Sequence, residues 1–300
     1  MTETSNSSTR RRRGRRAAAP LWFLFPALAI FGAIVLVPSV IGASYSFTDA
    51  TSGFGGAFIG LENYQEIFSD PSTLGPLWQT LVMAFGVMVL QNVLGLAIAV
   101  ALNSRIKSRN FLRVLFFMPF VISPLVAGYL WKYLLAPDGA VNQFLKAIGL
   151  GSLAQPWLGQ PDLALGSLII AVVWQFTGSS MVIYLAGLQG VPAEVLEAAS
   201  LDGAGGWRRF WNIVRPFLYP AIMVNFTLSL ISGLRLYDQI VAMTGGGPGG
   251  STDSISTVIY RYAFEFGQFG YGSALALILT VLIIVLSSLQ YTGLRKQARA

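Results

Sequence analysis

Asn225, Ser229 and Ser232–Gly233 recur at i, i+4 and i+7/i+8 inside an apolar run, a spacing that places them on one face of a helix. Gln175 and Ser179 repeat the i, i+4 pattern in a second apolar run, beside Trp174. Phe120, Ser123 and Pro124 lie near the middle of a third, and Gln91 and Asn92 near the middle of a fourth. Amides and hydroxyls placed this way can match the donors and acceptors of a polyhydroxylated solute, while aromatic faces cover its apolar C–H groups. The same groups can instead bond one helix to another, a contact worth only about 0.6 kcal/mol on average in lipid, and for each residue singly that is the simpler reading. Arg235 and Asp238 stand at i, i+3 near a helix end. They fit an ion pair, with Arg235 snorkelling to an interface; the alternative is a grip on solute hydroxyls or on a partner protein.

Bond-making chemistry lacks its reagents. Histidine and cysteine are absent, which removes the commonest general base and metal ligand and every thiol nucleophile. The 13 acids are scattered, and no pair has the look of a metal site. No GxxxxGK[ST] phosphate loop is present. The cluster GGGPGG at 245–250 is followed by no lysine and opens no helix, so it reads as a shaped turn. An integral-membrane enzyme would therefore have little to work with. An autonomous secondary transporter would need a carboxylate buried in a span for its coupling ion, and no acid lies there. The expectation is a non-enzymatic chain with no catalytic residue, cofactor or metal; if ATP drives it, another chain binds the nucleotide.

The elements that must hold these residues are membrane helices. Of 300 residues, 54% are hydrophobic and 11% charged, against about 25% charged in a soluble domain. Six apolar windows reach the ~20 residues needed to cross a bilayer: 21–44, 77–102, 111–135, 163–188, 217–237 and 273–291. The first has a basic flank, but its apolar core is too long for a typical signal peptide, so it is expected to stay as a span. Arginine and lysine set the orientation. Six arginines precede the first span; Arg105, Lys107, Arg109 and Arg113 follow the second; Arg208, Arg209 and Arg215 follow the fourth; Arg295, Lys296 and Arg299 follow the sixth. That places sixteen of the 20 basic residues on one side, with both termini cytoplasmic. The net charge of +7 thus reflects topology and contact with anionic lipid, and nucleic-acid binding is not expected. The expected organisation is a disordered basic tail over 1–19, a transmembrane domain over 20–295 with a cytoplasmic loop at 189–216, and a short tail over 296–300.

That loop, EVLEAASLDGAGGWRRFWNIVRP from 194 to 216, is a mixed island between two apolar runs. Pro192 suits a first helical turn, 193–200 favours helix, and Gly203, Gly205 and Gly206 supply a break. A second helical pattern over 207–214 reads as interfacial, with Trp207 and Trp211 sharing a face and Pro216 opening the fifth span. A basic linker lying on the membrane would account for the charges. It would not account for Glu197-Ala198-Ala199, whose small side chains let another surface approach the backbone.

EAASLDGAGGWRRFWNIVRP resembles the EAA loop of binding-protein-dependent ABC importer permeases: Glu197, Ala198, Ala199, Gly203 and Ile213 fall on the pattern, as does Pro216, while Arg215 replaces the usual leucine. FIGLENYQEIF (58–68), RVLFFMPFVISPLVAGYLWKYLL (113–135), VVWQF (172–176) and MTGGGPGGST (243–252) are similar to the sugar-type permeases, those of the maltose and glycerol-3-phosphate kind. The resemblance implies an all-α integral membrane protein with six transmembrane helices, the type I ABC importer (MetI-like) fold. It also implies a bacterial or archaeal cell membrane location. The implied partners are a second permease subunit forming a heterodimer, a dimer of ATP-binding subunits and an extracytoplasmic solute-binding protein. The loop would be the helix that docks on the ATPase, through Glu197, Ala198, Ala199, Gly203 and Ile213. Phe120, Ser123, Trp174, Gln175, Asn225, Ser229, Gly233, Arg235 and Asp238 would line the solute path. A carbohydrate is the expected cargo, with glycerol-3-phosphate the alternative because of Arg235.

Overall fold

The computed structural model describes residues 21–51, 55–104 and 106–297. The basic tail 1–19, Arg105 and Arg299 lie outside them. The chain forms two compact units, one ending at Gly42 and one from Ala43 onward.

The first unit holds most of α1 (Phe25–Tyr45), an apolar helix long enough to cross a membrane, with one widened turn over Gly32–Leu36. The second unit begins with a short helix α2 (Glu62–Ser69) and then α3 (Pro71–Leu102). Asp70 starts α3 by accepting a bond from the Ser72 amide at 2.8 Å, a local N-cap that begins the helix six residues before its apolar window. There follow α4 (Arg109–Val121), α5 (Pro124–Leu134), α6 (Ala140–Ala147) and α7 (Pro161–Gln189). The helix of the 189–216 loop is α8 (Ala193–Leu201), then α9 (Gly206–Leu234), α10 (Asp238–Met243), α11 (Ile255–Tyr260) and α12 (Phe269–Gln297). Among the described residues no strand forms, only an isolated bridge between Thr48 and Phe58.

The core of this unit is a three-helix contact. One face of α3 packs Met83 and Val87 against Leu168, Ala171 and Val172 of α7. Nearer its end, Ala99 and Leu102 meet Met181, Tyr184 and Leu185 of α7 and Leu218 of α9. Ala84 and Met88 meet Leu230 and Leu234 of α9. In lipid, helices gain little from burying apolar area, so close packing and interhelical bonds hold them. A Cβ on Gly95 would lie 2.7 Å from that of Ser180, and one on Gly233 would lie 2.6 Å from the Cα of Ala84. Both glycines are what lets α7 and α9 approach α3.

Two expectations are corrected. The window 111–135 is not one straight span: α4 and α5 meet at 99°. Ser123 precedes Pro124, and a residue before proline is driven out of the helical region; Ile122 and Ser123 both take ψ 137. The six-span reading holds only with this bent pair counted as one crossing. The second correction is at 207–216, which is not a separate interfacial helix. α9 runs unbroken from Gly206 to Leu234. A widened turn over Phe210–Val214 absorbs the carbonyl clash that the Pro216 ring would otherwise impose.

Candidate functional site

The polar residues of α3, α7, α9 and the start of α10 include two groups. The first ties helices. Tyr184 donates to the Asn92 Oδ1 at 2.6 Å, and Asn92 Nδ2 donates to Ser229 Oγ at 2.8 Å. Ser229 Oγ donates in turn to the Asn225 carbonyl at 2.7 Å, and Asn225 Nδ2 reaches the Ser180 carbonyl at 3.2 Å. Gln91 Nε2 donates to Ser180 Oγ at 2.8 Å. This network joins α3, α7 and α9. Asn225 and Ser229 are each 2% exposed and bond within this network, so in this structure they tie helices and are not among the residues lining the cavity at the end of α9.

The second group surrounds a cavity of about 270 Å³. Val87 and Gln91 come from α3, Pro124 from α5, Val172 and Phe176 from α7, Ser232 and Gly233 from α9, and Arg235, Tyr237, Asp238 and Gln239 from the turn into α10. The helix α9 stops at Leu234, and Tyr237 takes φ −141, ψ −61. That sharp turn delivers Arg235 and Asp238 to one hollow. They form no ion pair: among the described residues the one ion pair is Asp253–Arg261 at 2.8 Å. The expected pairing is corrected, and both charges stand exposed in the cavity. With hydroxyl, amide, guanidinium and carboxylate groups beside the rings of Phe176 and Tyr237, the hollow offers the donors, acceptors and apolar faces that a polyol can use.

The remaining expected path residues lie elsewhere. Gln175, 1% exposed, donates to the Ile122 carbonyl at 2.8 Å and accepts from Gln239 Nε2 at 3.1 Å, so it backs the cavity wall through Gln239. Phe120 packs edge-on against Phe176 with centroids 5.9 Å apart and supports that ring from behind. Ser123 is exposed at the α4–α5 break. Trp174 faces a separate apolar hollow of about 680 Å³ with Leu94, Phe116 and Met118, and its ring meets Trp131 edge-on. Phe176, Tyr237 and Gln239 were missed. Phe176 looks like any apolar span residue, and the other two lie past a helix end that periodicity could not place.

On the far side of α9, α8 presents the loop. Glu197 and Ala198 are exposed and Leu201 is 89% exposed, whereas Ala199 is 5% exposed. Ala199 therefore faces its own chain rather than offering a contact, which corrects its expected role. Gly203 has φ +73, a conformation that L side chains rarely take. The Ala204 amide bonds back to the Ala199 carbonyl at 3.0 Å, the six-to-one bond that ends a helix on such a glycine. Arg209 Nη1 donates to Ser200 Oγ at 3.2 Å, fixing α8 to the start of α9. Glu197, Ser200, Leu201 and Arg209 line an open hollow of about 560 Å³. Ile213 lies half-buried in the widened turn.

The glycine cluster is a folded turn. Gly245, Gly246, Gly249 and Gly250 all have positive φ, Thr244 and Thr252 share a hydroxyl bond at 2.7 Å, and a Cβ on Gly246 would fall on the Asp253 carboxylate. Arg261 holds that carboxylate, and Thr257 Oγ1 donates to it at 3.0 Å. The hydrogen bond to Asp253 pushes the Arg261 guanidinium above its usual pKa.

The family model described as "Binding-protein-dependent transport system inner membrane component" matches residues 91–296. The multiple sugar-binding transport system permease protein MsmF of Streptococcus mutans is 36% identical over 269 residues, 89% of this chain and 92% of its own length. The probable starch degradation products transport system permease protein AmyD of Thermoanaerobacterium thermosulfurigenes is 33% identical over 89% of this chain and 91% of its own. Among solved structures, a chain of a bacterial alginate ABC transporter in complex with an alginate pentasaccharide-bound periplasmic protein superimposes with a TM-score of 0.80, 22% identity and coverage of 93% and 96%. That likeness supports the fold.

Proposed function

The chain belongs to the binding-protein-dependent transport system inner membrane components, and from that premise we propose that it forms one half of the passage of an ATP-driven carbohydrate importer. It is a multi-pass permease subunit, and its work is passage rather than bond chemistry. Relatives named for multiple sugars and for starch degradation products support the cargo class. The observation that carries the reading is the cavity at the α9–α10 turn. Arg235 and Asp238 both line it without pairing, with Phe176 as an apolar face. A carboxylate accepts from hydroxyls and a guanidinium donates to them, while Asp238 would repel a phosphate ester, so a sugar fits better than glycerol-3-phosphate.

In this reading both termini are cytoplasmic, and α8 is the handle on which a separate ATPase acts, through Glu197, Ala198 and Leu201. Gly203 sets the turn, and Ala199, Arg209 and Ile213 brace α8 against α9. ATP is bound by that partner. ATPase closure would swing α8 and rock α9 with it, because Gly206–Leu234 is one continuous helix, opening the cavity alternately to each side. The partners are a second permease, a pair of ATPase subunits and an extracytoplasmic solute-binding protein.

The test is reconstitution in liposomes with labelled maltooligosaccharide. Uptake should require ATP, the binding protein and all the membrane and ATPase subunits. Uptake by this chain alone would overturn the assignment.

A further inference from the structure

Arg215, ten residues into α9, lies between two aromatic rings: its guanidinium carbon is 4.9 Å from the Trp211 centroid and 5.6 Å from that of Tyr219. Trp207 meets Trp211 edge-on at 5.5 Å. Of the three arginines in this stretch, Arg209 is tied to Ser200, while Arg208 and Arg215 have no carboxylate partner among the described residues.

The depth of this cluster follows from helix length. α9 has 29 residues, about 44 Å of helix, against a hydrocarbon core of about 30 Å that takes about 20 residues. Its last twenty residues, 215–234, are the apolar ones that match that core in length. Arg215 then sits at one boundary, with Trp207 to Val214 beyond it, and Arg235 stands at the other. Tryptophan and tyrosine favour this layer. An arginine stacked between rings keeps its in-plane N–H donors free, and those donors match two oxygens of a phosphodiester.

We propose that Trp211, Arg215 and Tyr219, with Arg208 two turns nearer the loop, bind the headgroup of an anionic phospholipid where α9 enters the bilayer. The bound lipid would fix the depth of the helix that carries α8. This rests on the function proposed above, in which the ATPase meets exposed residues of α8 rather than this stretch of α9; that favours a lipid over a protein carboxylate as the occupant.

The test uses the full chain in neutral detergent, titrated with phosphatidylglycerol or phosphatidylcholine and read by native mass spectrometry. Wild type should retain phosphatidylglycerol at about tenfold lower concentration than phosphatidylcholine, the scale of one charge-assisted bond. Arg215→Ala should abolish that preference, Arg215→Lys and Trp211→Leu should remove most of it, and Arg109→Ala should leave it intact. All variants are first checked for monodispersity and helix content, and the two milder changes keep the test valid should Arg215→Ala misfold. An unchanged preference in Arg215→Ala, or an equal loss in Arg109→Ala, would overturn the site. Displacement of the lipid by millimolar inorganic phosphate would make it a free-phosphate site instead. Absence of the preference in wild type, together with loss of ATPase co-purification in Arg215→Glu, would assign the stripe to a protein carboxylate.

Discussion

Gln175 donates its side-chain amide to the carbonyl oxygen of Ile122 at 2.8 Å, across the break between α4 and α5. A backbone group freed inside a membrane must find a partner within the protein, and this glutamine supplies it while also accepting from Gln239. Gln175→Leu would leave both partners unpaired. The expected cost is about 1–3 kcal/mol, seen as a drop of several degrees in the thermal midpoint of the solubilised protein. Ser179→Ala, which loses only a bond to Phe176 in its own helix, should shift the midpoint far less. Equal shifts would show that the break does not depend on Gln175.

The two unpaired charges of the cavity make a transport prediction. Arg235→Ala and Asp238→Asn should each raise the KM for uptake about tenfold, the scale of a hydrogen bond to a charged group, with assembly of the complex unchanged. Asn225→Ala should do the reverse, lowering thermal stability with little effect on KM, because Asn225 bonds Ser180 rather than the cavity. Uptake assays paired with melting curves separate the two outcomes.

Gly203 joins α8 to its turn with positive φ and has open space where a side chain would go. Aspartate tolerates that backbone region better than most residues, so Gly203→Asp should accumulate normally in the membrane. Its carboxylate would then stand on the surface proposed to meet the ATPase. The expected result is ATP hydrolysis no longer stimulated by substrate, and normal stimulation would sink the coupling role. Gly203→Val should in addition destabilise the loop by about 1–2 kcal/mol.

The glycine turn is held by Arg261 on Asp253. Arg261 is one-third exposed on its side chain, so the pair is weaker than a fully buried one, and Arg261→Gln is expected to cost about 1–2 kcal/mol. The Arg261 pKa is raised on folding. A raised pKa gives stability that is fully present below the unfolded value and lost only as pH rises through the folded one. Both the unfolded and the folded value lie far above neutrality, so the arginine's contribution should not change across neutral pH. Limited proteolysis of the 245–250 loop, run at several pH values, would check both the loss in the variant and the constancy in wild type.

The sequence by itself determined the class of protein, most of its membrane helices and the place of the helix and glycine turn over 193–206. Those follow from composition, apolar length, charge bias and local turn chemistry, each carried by residues close together in the chain. Gly203 is an example: its positive φ was legible because a helix end needs only its own neighbours. Only the tertiary structure decided which polar residues face a cavity. Asn225 within α9 and Arg235 just past its end were both expected to line the solute path. One is spent on Ser180 of α7, and the other is carried into the cavity by the sharp turn at Tyr237, whose geometry the apolar pattern does not give. The bend at Ser123–Pro124 was half legible. Proline next to a span residue permits a kink, but the 99° angle is set by what can satisfy the freed carbonyl of Ile122, and that partner, Gln175, is 53 residues away. Long-range partners are not encoded in spacing, because hydrogen bonds between helices depend on which faces meet.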